Sequence, residues 1–273
     1  SLGKEKVSGW EMEMIVIDNN SSDSYLRSLR SLDPSTEFIP RNTEGLGMTT
    51  TIIKNKINLG FAKAVNIGIK YALKNSADRI LLLNPDTVVE PGFIQPLLDN
   101  SADIVSPIIK FKRDNKWVYD HGGRINWFFG RTYHMESVHL GGVMASPPAG
   151  GSACHHPRWS NPEYVSGCCM LIKNQVFETI GLFDERFFLY FEDADFCIRA
   201  KKAGFKVAVE PKSVIIHNLI EGAKKPFSSQ LELIKSNFKF INKYLGYRRI
   251  LGYLYLILLS IKMVIDRFLH FDL

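Results

Sequence analysis

Ile80-Leu81-Leu82-Leu83-Asn84-Pro85-Asp86-Thr87 lies near the middle of the amino-terminal half of the chain. Four apolar residues run together and stop at Asn-Pro-Asp. A short continuous apolar run reads as a strand covered on both faces, as in a parallel sheet. Asn84-Pro85 ends the run, so Asp86 stands just past the carboxyl end of a central strand. In open α/β sheets that is where ligands bind. A carboxylate there can hold a divalent cation, and the cation a phosphate. It can equally cap the following turn. The stretch alone does not choose.

Upstream, Met12 to Ile17 reads as a second strand that again ends in an acid, Asp18. Asn19 to Asp23 is a loop, with Ser22 or Asp23 as the cap of a helix that runs to Leu32 and breaks at Asp33-Pro34. Thr51 to Lys54 reads as a short strand. Apolar residues at 61, 65, 69, 72 and 73 then fit one face of a helix. Gly60 just before it lets backbone amides approach an anion at the helix start, and Lys63 adds charge. Asn66 and Gly68 are poor helix formers, so something packs closely there or a ligand approaches. Beyond Asp86, Pro91 to Asn100 reads as a helix and Asp103 to Phe111 as a strand. This alternation implies an α/β fold with a mostly parallel central sheet flanked by helices.

Downstream the pattern changes. Residues 112–162 scatter Gly, Pro, His and aromatics without period, as a long irregular or antiparallel insert that is a candidate binding region. His155-His156 lacks the companions a metal site needs. Tyr164 to Gly167 leads into the apolar strand Cys168 to Ile172, where Gly167 permits close backbone approach. A helix spans Asn174 to Ile180 and stops at Gly181. Glu192, Asp193 and Asp195 follow five apolar or aromatic residues and fall in the first turn of a helix that runs to about Ala203. Acids there suit the helix dipole. They also suit a general base whose pKa is raised by acidic neighbours and an aromatic wall. Strands at 205–209 and 214–217 follow, the second closed by His217, a structural residue or a neutral imidazole ligand.

Ser228 to Tyr244 reads as an amphipathic helix. The apolar run from Ile250 to Ile261 is shorter than the roughly 20 residues a membrane span needs. Arg248, Arg249, Lys262 and Arg267 flank it, as in a helix lying on an anionic bilayer surface. A packed terminal helix or a homodimer contact is the alternative.

The composition fits these elements. The chain has 273 residues, 45% of them hydrophobic and 23% charged, with net charge +6 and pI near 9.0. These values suit a globular core and an anionic ligand or surface. No zinc-finger spacing and no aromatic-basic motif of the RNA-binding kind occurs, so no nucleic-acid partner is expected. Four cysteines form no C-x-x-C pair, so a structural zinc site is not expected and a reducing compartment is. No signal peptide opens the chain, which points to the cytoplasm.

In order and spacing, the Ile15-to-Asp23 segment, Asn58-Leu59-Gly60-Phe61-Ala62 with Asn66 and Gly68, Leu83-Asn84-Pro85-Asp86, Ser166-Gly167, Phe183 to Asp195, and Gly204 with His217 resemble inverting family-2 glycosyltransferases of the GT-A fold. The branch most resembled holds bacterial rhamnosyltransferases of cell-surface polysaccharide synthesis. The resemblance covers residues 12–220. It implies a GT-A domain over 1–225, with 112–162 its irregular acceptor-side insert, and a C-terminal helical appendage over 226–273. It implies transfer from a nucleotide-diphosphate sugar, dTDP-rhamnose or a UDP-sugar, to a saccharide or lipid-linked acceptor with inversion. Asp18 would contact the nucleotide. Gly60 and Lys63 would border it. Asn84 and Asp86 stand at the D-x-D position, with Asp86 and His217 as ligands of Mn2+ or Mg2+. Gly167 would lie where sugar and acceptor meet, Asp193 would be the catalytic base, and Glu192 would face the acceptor. Location would be cytoplasmic, peripheral at the inner membrane face. The family's usual first apolar strand is not found in Ser1 to Glu11, which leaves an inactive, N-terminally truncated nucleotide-binding protein as the rival. A nucleotidyltransferase would need a Gly-rich phosphate loop, which the first strand lacks.

Overall fold

The computed structural model describes residues 10–21, 41–42, 49–138, 161–218 and 226–269. The helix expected before Leu32 and the His155-His156 pair lie outside these residues.

Strands β1 (Glu13–Asp18), β2 (Arg41–Asn42) and β3 (Thr49–Lys54) form a small sheet in the order β1-β3-β2, with β1 and β3 parallel. Helix α1 (Phe61–Lys74) packs against β1. Gly68 allows this, because a Cβ there would meet the Ile17 side chain at 3.3 Å. The close-packing reading of Gly68 is therefore the one observed.

The second sheet has seven strands. They are β4 (Arg79–Leu83), β5 (Thr87–Val89), β6 (Ile104–Arg113), β7 (Lys116–Asn126), β8 (Arg131–Val138), β9 (Cys169–Lys173) and β10 (Val207–His217). Their order is β4-β9-β6-β10-β5, with β7 on β6 and β8 on β7. This sheet is mixed, not mostly parallel as expected. Within this sheet only β6 and β10 run parallel, and β4, read as a parallel strand, pairs antiparallel with β9. An apolar run reports burial, not direction; β9 enters from the Gly167 end and runs back along β4.

Residues 112–138, read as part of an irregular or antiparallel insert, are antiparallel: β7 pairs with both β6 and β8, with an irregularity between Asp120 and Gly123. Asp114 and Asn115 both take positive φ, 50° and 58°, as a two-residue hairpin turn requires. The two strands expected at 205–217 are one, interrupted by an irregularity between Glu210 and Val214.

Alternation along the strands feeds two apolar layers. Ile104, Met170 and Ile172 face α1, α3 (Asn174–Ile180), α4 (Glu192–Lys202) and Phe240 of α5 (Phe227–Tyr244). Val105, Cys169 and Leu171 face α2 (Ile94–Asp99) and Phe93. Cys168 and Cys169 are buried, as expected of core residues. α5 is joined to the main body by Asn237 Nδ2, which donates to the Gly130 carbonyl at 2.5 Å, and by Ser236 Oγ, which donates to Leu189. A short 3-10 turn leads to α6 (Arg249–Leu269), which rests on α5 through Ile241, Leu245 and Leu256.

Candidate active site

The end of β4 turns sharply. The Thr87 amide and hydroxyl both donate to the Asn84 carbonyl, at 3.3 and 2.7 Å, and the Asn84 amide donates to Cys168 at 2.8 Å. β5 leaves this turn antiparallel to β10, with Thr87 opposite His217. The Asn218 amide closes the pair by donating to the Asp86 carbonyl at 2.8 Å. This register brings His217 Nε2 to 3.1 Å from Asp86 Oδ2. The contact lacks hydrogen-bond alignment, so the buried Nε2 has no hydrogen-bond partner among the described residues. The neighbouring imidazole holds the Asp86 carboxyl below its ordinary range, against the opposing effect of burial. Asp86 is half exposed and His217 mostly covered.

The acids of α4 are presented by a strained turn. Tyr190 and Phe191 take φ of 70° and 69°, consecutive left-handed residues with side chains. Such positions cost on the order of 1–3 kcal/mol each and cluster at functional sites. The turn is held by the Asp195 amide on the Phe191 carbonyl and by Phe191 packing on Phe240. It sets Asp193 against Gly167, whose amide donates to Oδ2 at 3.2 Å. A Cβ on Gly167 would lie 3.2 Å from Phe61 and 3.7 Å from the Asp193 Cβ, so the close approach expected there is real. Burial raises the Asp193 pKa, while His134 and the Gly167 amide pull it back. Glu192 is buried and raised well above its ordinary value, by burial first and then by the Asp193 charge. Its Oε2 has no hydrogen-bond partner among the described residues.

Asp195 separates from this group. It is fully buried and accepts from Arg199 Nε at 2.9 Å and Tyr244 Oη at 2.6 Å, with Lys243 Nζ at 2.5 Å. The three carboxylates are therefore two acids at the site and one that fastens α4 to α5.

The start of α1 is tied to neighbouring loops. The Gly60 amide donates to Asn58 Oδ1 and the Phe61 amide to the Phe188 carbonyl at 2.7 Å. Gly60, at φ 80°, is required because a Cβ would sit 2.4 Å from that carbonyl oxygen. This close approach is to the chain's own Phe188 loop. Lys63 is exposed on the same turn. Asn66 is a clamp rather than a ligand group. Its side chain donates to the Phe183 carbonyl at 2.9 Å and accepts from the Phe183 amide at 3.0 Å. Asp18 is nearly buried and caps a turn, accepting from the Ser21 amide at 2.9 Å.

Two features escaped the sequence. Asn19 ties the loop after β3 to β1, accepting from Asn55 and the Leu59 amide and donating to Asn58 and Gly60. The second is on the β7–β8 hairpin, where His134 Nδ1 lies 2.8 Å from Asp120 Oδ2 and edge-on to Tyr164. Burial lowers the His134 pKa, but the Asp120 carboxylate, with help from Asp193, outweighs it and raises the value overall. Long-range pairs of this kind have no periodic signature.

Ser166 to Cys168 thus joins the Asp86–His217 pair to Asp193. The model of Glycosyl transferase family 2 matches residues 6–181 of this chain. The chain belongs to that family. It is 24% identical over 243 residues to an N-acetylglucosaminyl-diphospho-decaprenol L-rhamnosyltransferase of Mycobacterium tuberculosis, covering 81% of this chain and 71% of the relative. It is 27% identical over 164 residues to the dTDP-rhamnosyl transferase RfbF of Shigella flexneri, covering 59% of this chain and 49% of that one. Among solved structures, GalNAc-T7 with UDP, GalNAc and Mn2+ superposes with a TM-score of 0.56 at 14% identity, covering 87% of this chain and 43% of that one. The family-2 chain thus has the GT-A fold of glycosyltransferases, and it spans only about half the length of some of the proteins it matches.

Proposed function

We propose that this glycosyltransferase moves a sugar, rhamnose from dTDP-rhamnose or a hexose from a UDP-sugar, to a saccharide or lipid-linked acceptor in cell-surface polysaccharide synthesis. The observation that carries the reading is the Ser166–Cys168 bridge. Its Cys168 carbonyl holds the Asn84 turn and its Gly167 amide holds Asp193. The rhamnosyltransferase relatives support the sugar, and the decaprenol-linked substrate named for one of them supports a lipid-linked acceptor, which would put this chain at the cytoplasmic membrane face.

Asp86 and His217 fit a divalent cation, Mn2+ or Mg2+: one carboxylate oxygen and one orphaned imidazole nitrogen face each other. Such an ion supplies neutralisation of the diphosphate leaving group. Asp18, Gly60, Lys63, Asn84 and Gly167 border the donor in this reading. Asp193 takes the proton from the acceptor hydroxyl as its oxygen bonds to the anomeric carbon. The bond from that carbon to the diphosphate breaks on the opposite side, so the configuration inverts. The raised pKa of Asp193 makes it a competent proton acceptor. Glu192, its pKa raised by burial and by the Asp193 charge, faces the acceptor in this reading. Replacing Asp193→Asn should abolish transfer while donor affinity stays within about twofold. Unchanged turnover would end the base assignment.

A further inference from the structure

Helix α6 has two apolar sides, and among the described residues only one is packed against the rest of the chain. Inward, Gly252 and Leu256 are buried; Gly252 is so close to Ile241 that a Cβ would lie 2.9 Å from it. Outward, Ile250, Leu254, Ile257, Leu258, Ile261 and Ile265 are 48–67% exposed. Their spacing of three, four and seven residues puts them on one helix face. A contiguous outward stripe of this kind needs a cover.

The stripe continues onto the rest of the molecule. Phe129, in the turn between β7 and β8, lies tilted against Tyr255 of α6 with ring centres 6.0 Å apart. Beside it Arg248 sits over both Phe128 and Tyr247, and Tyr247 is 82% exposed. Aromatic rings at the level of cationic side chains are the arrangement that suits a headgroup layer. Arg248, Arg249 and Lys262 rim the patch against the single carboxylate of Asp266, so the charge complements an anionic surface. Among the described residues no helix is long and apolar enough to cross a membrane. This geometry suits lying on a bilayer, with the apolar face in the acyl boundary.

We propose that the outward face of α6, extended by the Phe128–Phe129 turn and rimmed by Arg248, Arg249 and Lys262, docks on an anionic lipid bilayer. This deepens the membrane placement proposed above, and vesicles lacking donor and acceptor test it apart from transfer. The full chain is sedimented with phosphatidylcholine vesicles, with and without about one third phosphatidylglycerol. The expected result is recovery with the anionic vesicles and little with the neutral ones. Leu254→Glu with Leu258→Glu should weaken partitioning by at least about tenfold per site. Arg249→Glu with Lys262→Glu, surface changes that leave the apolar stripe intact, should weaken it by at least about fivefold per site. Light scattering is read on the same samples. Full-length protein left in the supernatant with both vesicle types overturns the proposal. So does a dimer that the leucine pair converts to monomer, since the stripe would then be covered by a second copy.

Discussion

Asn66→Ala tests how the acidic turn is held in place. Asn66 is 1% exposed and its amide satisfies both backbone groups of Phe183, with Glu185 Oε1 a further acceptor at 3.2 Å. Alanine leaves a buried N–H and a buried carbonyl without these partners, at about 1–3 kcal/mol each. The gain from a better helix former offsets only about 0.7 kcal/mol. The net loss is about 1–5 kcal/mol, and for a chain of this size each kcal/mol lowers Tm by about 2–4 °C. A central value near 3 kcal/mol corresponds to a fall of about 6–12 °C by differential scanning calorimetry. Phe183 begins the segment that ends at Asp193, so transfer should fall further than the melting curve alone implies. A variant that melts within about 2 °C of the parent would show that Asn66 does not anchor this segment.

Other expectations follow from the same contacts. Glu192 and Asp193 titrate higher in the folded chain than unfolded, so the folded form holds protons the unfolded form releases. Stability should therefore decline as pH rises from the ordinary carboxylate range through their raised values, and Glu192→Gln or Asp193→Asn should flatten that decline and raise Tm at neutral pH; thermal melts across pH report it. Transfer should disappear as pH falls through the raised Asp193 value, and an acid limb at the ordinary carboxylate position in the rate profile would contradict that. Gly60→Ala forces a Cβ against the Phe188 carbonyl at φ 80° and should cost at least about 2 kcal/mol in urea unfolding, with weaker donor binding. Lys243→Met removes a cation shared by Asp184 and buried Asp195. Arg199, Arg186 and Tyr244 remain, so about 1–3 kcal/mol should be lost in the same assay.

Much of the site was legible because it sits at strand ends. Asp86 and His217 each close a run of apolar residues, and the apolar runs mark the strands that carry them. What brings the two together, the antiparallel register of β5 on β10, is set by tertiary pairing and leaves no mark in either segment. Strand direction was misread for the same reason, since β4 is as apolar beside antiparallel β9 as it would be in a parallel sheet. The acidic cluster was seen as a unit because the residues are adjacent. Helical spacing separates Asp195 from Asp193, and its i,i+4 partner Arg199 was the available sign that it is structural. Asn66 stands out in the sequence as a poor helix former, but its partner Phe183, like the partners of Asn19 and of the Asp120–His134 pair, is distant in sequence and no local pattern names it.

The most direct test of the proposed donor site is calorimetric titration of UDP and dTDP into the full chain, each with and without Mn2+, repeated on His217→Ala. The expected result is binding of one nucleotide that depends on the metal and weakens in the variant, while the nucleotide preferred names the base. Equal affinity with and without Mn2+, unchanged by His217→Ala, or no binding of either nucleotide, would contradict the assignment of Asp86 and His217 to the donor site.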